Sequence, residues 1–323
     1  MDFSDLDDRL LFAIPKKGRL HENCLTLLKG ADIQFHRRNR LDIALSTNHP
    51  VALVFLPASD IATFVGEGNV DLGITGQDMV AEAGVHVDEL TQLGFGKCNL
   101  SVQVPISSKY TNAKELVGKR IVTSFSGIVR RYFDSLEAGA TEEEAAAGLI
   151  KSSATTKKEQ LLAALPEPKT TIHLASGSVE AACALGLADG IVDLVESGET
   201  MREAKLHQIA TLLSSQAVLI CNPKRRHTNP LIETFRRRIE GVIAAQKYVL
   251  CNYNIARESL AAAVKITPGK KAPTVSPLED GAWVAVSAMV QKATIADIMD
   301  QLEEIGASDI LVFQIHNCRV VSA

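Results

Sequence analysis

The sequence predicts an α/β protein with two lobes around a cleft, followed by a smaller third domain. Three observations carry this prediction. The chain has 323 residues, which at about 150 residues per domain allows two or three domains. In the first two thirds, short apolar strands alternate with helical stretches, as in βαβ units with mostly parallel sheets. From residue 248 onward the pattern changes to a compact βαββαβ order.

The first lobe is predicted from an alternation of strands and helices that begins at residue 10. Its elements, in order, are a strand over 10–14, a helix over 20–28, strands over 41–45, 51–56 and 70–74, and a helix over 78–83. Pro15 ends the first strand and Gly30 ends the first helix. Ligands of such sheets bind at the carboxyl ends of strands. The turns after the strands are therefore the places to search for a site.

The second lobe repeats this order from residue 100. Its elements are strands over 100–104 and 120–123, a helix over 127–136, a strand over 171–174, a helix over 179–187 and a strand over 190–195. Residues 137–169, rich in Ala, Glu and Lys, predict a surface helix or loop. A strand pair over 209–220 is predicted to return to the first lobe, so that two crossings form a hinge. The predicted boundaries are 1–103 with 209–247 for the first lobe and 104–208 for the second.

The third domain is predicted over 248–323, after a helix over 231–249. Its elements are a strand over 248–253, a helix over 258–264, a Gly/Pro-rich turn over 268–277, a strand over 283–289, a helix over 295–305 and a strand over 310–315. This order is typical of a ferredoxin-like module, which often binds a small effector. Arg236, Arg237 and Arg238 on the preceding helix predict a solvated face, because no aromatic residues interleave with them.

Charge and composition exclude several classes of protein. Lys and Arg total 34 against 38 Asp and Glu, a net charge of −4, which argues against a nucleic-acid or membrane-surface binder. The six cysteines have no CxxC spacing, so we expect reduced thiols. The acidic N-terminus does not fit a secretory or mitochondrial leader, and no apolar run approaches the ~18 residues of a membrane span. We expect a soluble, cytoplasmic protein.

The turn after the strand over 190–195 is the strongest candidate site. Asp193 and Glu196 precede Ser197-Gly198-Glu199-Thr200, where a helix begins. Backbone N–H groups and hydroxyls at a helix start can hold a phosphate, and the two carboxylates can accept hydrogen bonds from sugar hydroxyls. The segment predicts a sugar-phosphate site. An ordinary N-cap with acidic neighbours is the alternative.

Two turns of the first lobe are further candidates. Lys16, Lys17, Gly18 and Arg19 follow the first strand, and three cations on such a turn suit a polyphosphate, with a solvated basic turn as the alternative. Asp71 begins DLGITG, which could line the same cleft. The GxGxxG, Walker, HExxH and GxSxG patterns are absent from the sequence. Nucleotide oxidoreductases, P-loop kinases, zinc proteases and α/β-hydrolases thereby lose their main support.

Five segments carry a resemblance to a known family. They are, in order, AIPKKGRL, DLGITGQD, GKRIVTSF, ASGSVEAACALGLADGIVDLVESGETM and GASDILVFQIHNCRV. Together they resemble the long form of ATP phosphoribosyltransferase, the first enzyme of histidine biosynthesis, and most of all its fungal members. The resemblance implies two lobes like those of periplasmic binding proteins, a ferredoxin-like regulatory domain, homo-oligomers from dimer to hexamer, and feedback inhibition by histidine.

The implied reaction joins ring nitrogen 1 of ATP to the anomeric carbon of phosphoribosyl pyrophosphate and releases pyrophosphate. About twenty charge pairs at ~7 Å between the substrates would repel by ~12 kcal/mol even in water. The cationic turn and a Mg²⁺ held mainly by the pyrophosphate would offset this repulsion. No general base is evident, so proximity would supply much of the rate.

The resemblance assigns site residues by matching position. The phosphoribosyl pyrophosphate loop is Asp193, Leu194, Val195, Glu196, Ser197, Gly198, Glu199 and Thr200. The ATP side is Lys16, Lys17, Gly18, Arg19 and Asp71. Arg19, Asp193 and Glu196 would act in catalysis, the carboxylates by favouring positive charge at the anomeric carbon. Histidine would bind at Asn254, Thr274 and Asp309, with ordinary loop polarity as an equal alternative.

A binding protein is the alternative function, because two hinged α/β lobes also form solute receptors and the ligand-sensing parts of transcription regulators. A receptor should carry an export signal and a regulator a helix-turn-helix, and neither is evident in the sequence. A cationic turn facing a sugar-phosphate loop also exceeds what amino-acid binding needs. We therefore expect an enzyme.

Overall fold

A computed structural model describes residue 6 and residues 8–37, 41–151 and 169–319 of the chain. By internal contacts the chain divides into two units. The first comprises Met1–Leu25 and Gln34–Glu233, and the second comprises Thr26–Ile33 and Thr234–Ala323. The first unit contains two sheets and the second contains one.

The described residues form fifteen strands and ten α-helices. The strands are β1 (Leu10–Pro15), β2 (Ile43–Leu45), β3 (Val51–Leu56), β4 (Leu72–Gly76), β5 (Asp88–Gln92), β6 (Cys98–Pro105), β7 (Arg120–Thr123), β8 (Thr171–Leu174), β9 (Gly190–Val195), β10 (Leu206–Ser215), β11 (Ala217–Cys221), β12 (Tyr248–Ala256), β13 (Thr274–Pro277), β14 (Trp283–Gln291) and β15 (Ser308–Gln314). The helices are α1 (His21–Gly30), α2 (Ala58–Glu67), α3 (Gln77–Ala83), α4 (Ser126–Glu137), α5 (Glu142–Lys151), α6 (Ala181–Ala184), α7 (Glu199–Glu203), α8 (Pro230–Gln246), α9 (Leu260–Ile266) and α10 (Ile295–Glu304).

The first sheet has the strand order β2-β3-β1-β4-β11-β5. Central β1 is parallel to β3 and β4, while β11 is antiparallel to β4 and β5. Phe12, Ile14 and Leu53 are fully buried, as expected for parallel strands that helices cover on both faces. The carboxyl ends of β1, β3 and β4 therefore lie at one edge of the sheet, where the predicted cationic turn begins.

The second sheet has the strand order β10-β6-β9-β7-β8. Parallel β7, β8 and β9 supply the post-strand turns, and β6 is antiparallel to β9 and β10. Ile128, Tyr132 and Phe133 of α4 are fully buried in the core of this lobe. This core fixes α4, and with it the turn over 123–127.

The predicted α/β class is confirmed, and several details differ. Because β6 and β10 pair with each other, the two crossings lie between β5 and β6 and at Gln216, not at the predicted boundaries of 103/104 and 208/209. Helix α2 and edge strand β5 were not predicted, and the predicted helix over 179–187 is only the short α6. The part of 137–169 that follows α5, residues 152–168, lies outside the described residues.

The sheet of the second unit has the order β13-β14-β12-β15 and is antiparallel throughout. With α9 between β12 and β13 and α10 between β14 and β15, it is the predicted βαββαβ module. Strand β13 occupies part of the predicted turn over 268–277. Alternate residues of β12 and β14, such as Val249, Cys251 and Val286, are buried on one face of the sheet.

All six cysteines lie in the described residues, and each is a free thiol. In the same part of the chain, no helix combines the length and apolar character needed to cross a membrane.

Candidate active site

The turn after β1 presents lysines at the carboxyl end of that strand. Gly18 has a φ of +91°, a left-handed conformation that glycine adopts without strain. Lys17 is exposed, and Lys16 Nζ lies 3.4 Å from Asp42 Oδ2 in a partly exposed ion pair. Such a pair is weak in solvent, so both lysines can reach an anionic ligand.

Arg19, the third cation, is held by the segment that joins the two sheets. Its Nη1 donates to Gly96 O at 3.0 Å and its Nη2 donates to Cys98 Sγ at 3.1 Å. Nη2 also lies 3.7 Å from Asp78 Oδ2, and the Asp78 side chain is only 2% exposed. The Ser215 hydroxyl donates to Asp78 Oδ1 at 2.7 Å. Arg19 is thus oriented by a buried carboxylate that sequence reasoning read only as a helix start.

Two neighbouring residues, Gly76 and Cys98, accommodate the ion pair between Arg19 and Asp78. An added Cβ at Gly76 would collide with the Asp78 carboxylate, so the glycine of the Thr-Gly turn makes room for it. Burial, and then the Asp78 charge, raise the pKa of the Cys98 thiol above its ordinary value. Cys98 therefore stays protonated at neutral pH and adds no second negative charge beside Arg19.

The loop between β9 and α7 is open to solvent. Gly198, the cap residue of α7, has a φ of +74°, and Glu199 N donates to Ser197 Oγ at 3.3 Å. Glu196, Ser197 and Thr200 are exposed. The loop offers hydroxyls and the N–H groups of a helix start, which are the groups that bind phosphate.

Asp193 lies at the end of β9 that leads into this loop. Its Oδ1 accepts from Leu194 N at 2.8 Å, and Gln103 Nε2 donates to its backbone oxygen at 3.3 Å. Burial raises the pKa of its carboxyl; the Leu194 N–H lowers the pKa and the Glu180 charge raises it. A carboxylate in such a partly desolvated place interacts more strongly with a nearby positive charge than it would in water.

The structure does not bring Asp71 to the cationic turn. Asp71 immediately precedes β4, at the opposite end of that strand from Gly76, and it is 9% exposed. Its Oδ2 accepts from Leu11 N near the start of β1 at 2.8 Å, and its Oδ1 lies 3.3 Å from Arg225 Nε. These contacts tie β1 to the turn after β11 at the amino end of β1.

A cavity of about 300 Å³ lies where the two sheets of the first unit meet. It is lined by Gln77, Lys97, Cys98, Asn99, Val195, Glu196, Ser214, Ser215 and Gln216. Cys98 and Ser215 contact Arg19 and Asp78 respectively. The cavity therefore joins the surroundings of Arg19 to Glu196, at the start of the loop between β9 and α7. Sequence reasoning missed Asn99, which lies in none of the quoted segments, and gave no role to Gln77, although Gln77 lies within DLGITGQD.

The turn over 123–127 and the helix after it contact the other lobe through Glu82 and Arg131. Both carboxylate oxygens of Glu82 on α3 accept N–H groups at the start of α4, from Gly127 and Ile128, each at 2.8 Å. Arg131 Nη2 donates to Ala81 O at 2.6 Å. A carboxylate is favourable at a helix N-terminus. These N–H groups are therefore satisfied within the protein, whereas the loop over 197–200 is open.

The three residues predicted to bind histidine lie on the sheet of the second unit. Asn254 Nδ2 donates to Asp309 Oδ2 at 2.9 Å, so the structure brings these two together. Thr274 lies on β13, which β14 separates from β12 and Asn254. Thr274 therefore does not lie on the strand pair β12–β15 that carries Asn254 and Asp309.

Among the described residues, no three His, Cys, Asp or Glu side chains are grouped so that they could hold a metal ion. A Mg²⁺ that arrives on a pyrophosphate needs no such group, because it keeps phosphate oxygens and waters as ligands. The exposed carboxylate of Glu196 in the loop is an oxygen ligand of the kind that such a metal accepts, whereas the cations of the turn would repel the metal.

Two family models match the chain. The model of ATP phosphoribosyltransferase matches residues 57–241, and the model of the HisG C-terminal domain matches residues 245–317. The ATP phosphoribosyltransferase of Yarrowia lipolytica is 56% identical over 317 residues, which cover 98% of this chain and 99% of the relative. The protein of the same name from Saccharomyces cerevisiae is 52% identical over 98% of both chains.

Among solved structures, the ATP phosphoribosyl transferase (HisG:HisZ) complex from Thermotoga maritima matches with a TM-score of 0.57 and 23% identity. The match covers 72% of this chain and 97% of that chain. At this identity the likeness concerns the fold alone. The family assignment comes from the family models and the fungal relatives: the chain belongs to the ATP phosphoribosyltransferase family, in the long form that carries a C-terminal domain.

Proposed function

We propose that this protein transfers the phosphoribosyl group of phosphoribosyl pyrophosphate to ring nitrogen 1 of ATP, the first step of histidine biosynthesis. The products are phosphoribosyl-ATP and pyrophosphate. The observation that carries this proposal at the level of the site is the cavity that connects Glu196 with the partners of Arg19. Two substrates that react directly must be held on either side of one space.

The loop from Asp193 to Thr200 is proposed to bind phosphoribosyl pyrophosphate. The hydroxyls of Ser197 and Thr200 and the N–H groups of the loop would hold the 5-phosphate. Asp193 and Glu196 would accept hydrogen bonds from the ribose hydroxyls. As pyrophosphate leaves, positive charge builds on the ribose ring, and two carboxylates placed beside it stabilise that charge.

The cationic turn is proposed to bind the phosphates of ATP. Lys16, Lys17 and Arg19, with Gly18 allowing the turn, would offset the repulsion of ~12 kcal/mol between the two polyanions. Mg²⁺ bound to the pyrophosphate would neutralise charge on the leaving group. Asp71 is left out of this site, because its carboxylate is engaged at the other end of β4.

The second unit is proposed as the regulatory domain, which binds histidine through Asn254, Asp309 and Thr274 and thereby lowers activity. Edge strand β15 exposes Leu311 (53%) and Phe313 (48%). Apolar side chains on an open sheet edge favour self-association, which supports homo-oligomers from dimer to hexamer. Six free thiols are consistent with a reducing compartment, and we place the enzyme in the cytoplasm.

The test is to mix the protein with ATP, phosphoribosyl pyrophosphate and Mg²⁺ and to measure pyrophosphate release. Reactions that lack either substrate are the controls. We expect release only when both substrates are present, and less release when histidine is added. Absence of pyrophosphate at every Mg²⁺ concentration would contradict the proposed reaction.

A further inference from the structure

Two side-chain amides line the cavity beside Glu196, and one end of each is engaged by a neighbouring side chain. Ser214 Oγ donates to Asn99 Oδ1 at 2.8 Å, so the NH₂ group of Asn99 can serve another acceptor. Gln77 Nε2 donates to Glu89 Oε2 at 3.1 Å. Because an ionised carboxylate only accepts, this bond leaves the carbonyl oxygen of Gln77 for another donor. The cavity thus offers one donor and one acceptor.

We propose that these two amides bind the Hoogsteen edge of the adenine ring of ATP. Gln77 Oε1 accepts from the 6-amino group, and Asn99 Nδ2 donates to ring nitrogen 7. Adenine presents this donor and this acceptor side by side, and side-chain amides are the partners that proteins use to read this edge of adenine in DNA. The inference rests on the proposed function and specifies how the base is bound.

The chemistry of the reaction favours this edge. Ring nitrogen 1 must keep its lone pair for the anomeric carbon, so a hydrogen bond to that nitrogen would block the reaction. Contacts to nitrogen 7 and to the 6-amino group hold the ring and leave nitrogen 1 open. As nitrogen 1 takes the new bond, positive charge spreads to the amino group. Its N–H then becomes a stronger donor to Gln77 Oε1.

The size and position of the cavity suit the base. A volume of about 300 Å³ is at the lower end of small-molecule sites, and it gives enough room for a purine ring. Asn99 pairs with Val195 in the sheet, and Val195 directly precedes Glu196. This places the base next to the proposed ribose site. Cys98 also lines the cavity and contacts Arg19, so the triphosphate can extend toward the cationic turn.

The test uses 7-deaza-ATP, in which a CH group replaces ring nitrogen 7 and nitrogen 1 is unchanged. Loss of one hydrogen bond predicts a kcat/KM about fivefold to tenfold lower than for ATP in the unmodified enzyme. Asn99→Leu should lower kcat/KM for ATP by about the same factor, leave KM for phosphoribosyl pyrophosphate unchanged and use both nucleotides equally. Asn99→Asp should prefer 7-deaza-ATP, because its carboxylate repels the lone pair of nitrogen 7.

Gln208→Ala is the matched control, since Gln208 is an exposed amide on β10, and it should keep the full preference for ATP. An active Asn99→Leu enzyme that still prefers ATP by the original factor would overturn the proposal, as would an unmodified enzyme that does not distinguish the two nucleotides. If Asn99→Leu does not fold, the preference of Asn99→Asp decides. Failure of the unmodified protein to use ATP at all would instead contradict the proposed function.

Discussion

Two aspartates beside sheet strands, Asp71 and Asp193, have opposite surroundings. Asp71 precedes the amino end of β4, where Leu11 N engages one carboxylate oxygen and Arg225 the other. Asp193 lies near the carboxyl end of β9, where Leu194 N donates to one oxygen and burial raises the pKa. The first carboxylate is satisfied by groups from distant parts of the chain, and the second has one local donor.

The strand end at which each aspartate lies explains why their surroundings differ. Ligands of α/β sheets bind at the carboxyl ends of strands, so a carboxylate at that end is available to a substrate and its desolvation is a cost to the fold. A carboxylate at the amino end can be used entirely to tie strands together. The same substitution should therefore reduce activity at Asp193 and stability at Asp71.

The largest effect is expected for Asp193→Ala. Loss of a carboxylate from the proposed ribose site should lower kcat/KM for phosphoribosyl pyrophosphate by about 10²- to 10³-fold. KM for ATP should change far less, and Tm should not fall. Steady-state rates of pyrophosphate release, with each substrate varied in turn, measure this. Equal losses for both substrates would reject the placement of the loop.

Asp71→Ala should act on stability instead. The substitution leaves Leu11 N and Arg225 without their carboxylate, which predicts a loss of about 2 kcal/mol in the free energy of unfolding. Denaturant unfolding measures this loss, with exposed Asp297→Ala on α10 as the control. At a temperature where both proteins are folded, KM for ATP should stay within about twofold. A higher KM for ATP with unchanged stability would return Asp71 to the ATP site.

Much of the fold could be predicted because strands covered on both faces are continuous apolar runs. Strands β1, β3 and β9 match the predicted ranges within one residue at each end. Strand β5, DELTQ, has no such run because it is a partly exposed edge strand. The sheet that β10 joins could not be predicted, since β10 and β11 are adjacent apolar runs separated by Gln216 and only long-range pairing distinguishes them.

Part of the candidate site could be predicted from the sequence for a related reason. Gly, Ser and Thr mark the loop over 197–200, and a glycine among three cations marks the turn at Gly18. Both glycines, Gly18 and Gly198, have a positive φ. The roles of Asp78, Gln77 and Asn99 could not be predicted, although the first two lie within DLGITGQD, since these roles depend on partners far along the chain, such as Ser215 for Asp78. Asp71 shows the converse: a residue within a motif whose contacts are structural.

A smaller effect is expected for Thr200→Ala, which tests the loop after Asp193 separately from Asp193 itself. Removing one hydroxyl from the proposed phosphate site should raise KM for phosphoribosyl pyrophosphate about fivefold, with KM for ATP unchanged. Thr200→Ser should restore most of the loss because it returns the hydroxyl. Thr211→Ala, an exposed threonine of β10, is the control. The loop does not hold the 5-phosphate if Thr200→Ala affects ATP and phosphoribosyl pyrophosphate alike.

The smallest effect is expected for the stability of Asp193→Asn. Burial raises the pKa of Asp193 above its ordinary value of 3.8, so folding favours the protonated acid. The stability that this provides is present below the unfolded pKa and is lost as the pH rises through the folded pKa. At pH 7 the carboxylate is ionised, and its desolvation lowers the free energy of unfolding. Asp193→Asn should therefore raise Tm, by less than Asp71→Ala lowers it. Calorimetry between pH 4 and pH 8 should show this gain shrink as the pH falls, because the native acid then becomes neutral too. A gain that is independent of pH would mean that desolvation of the charge is not its cause, and Asp193 would lose its contrast with Asp71.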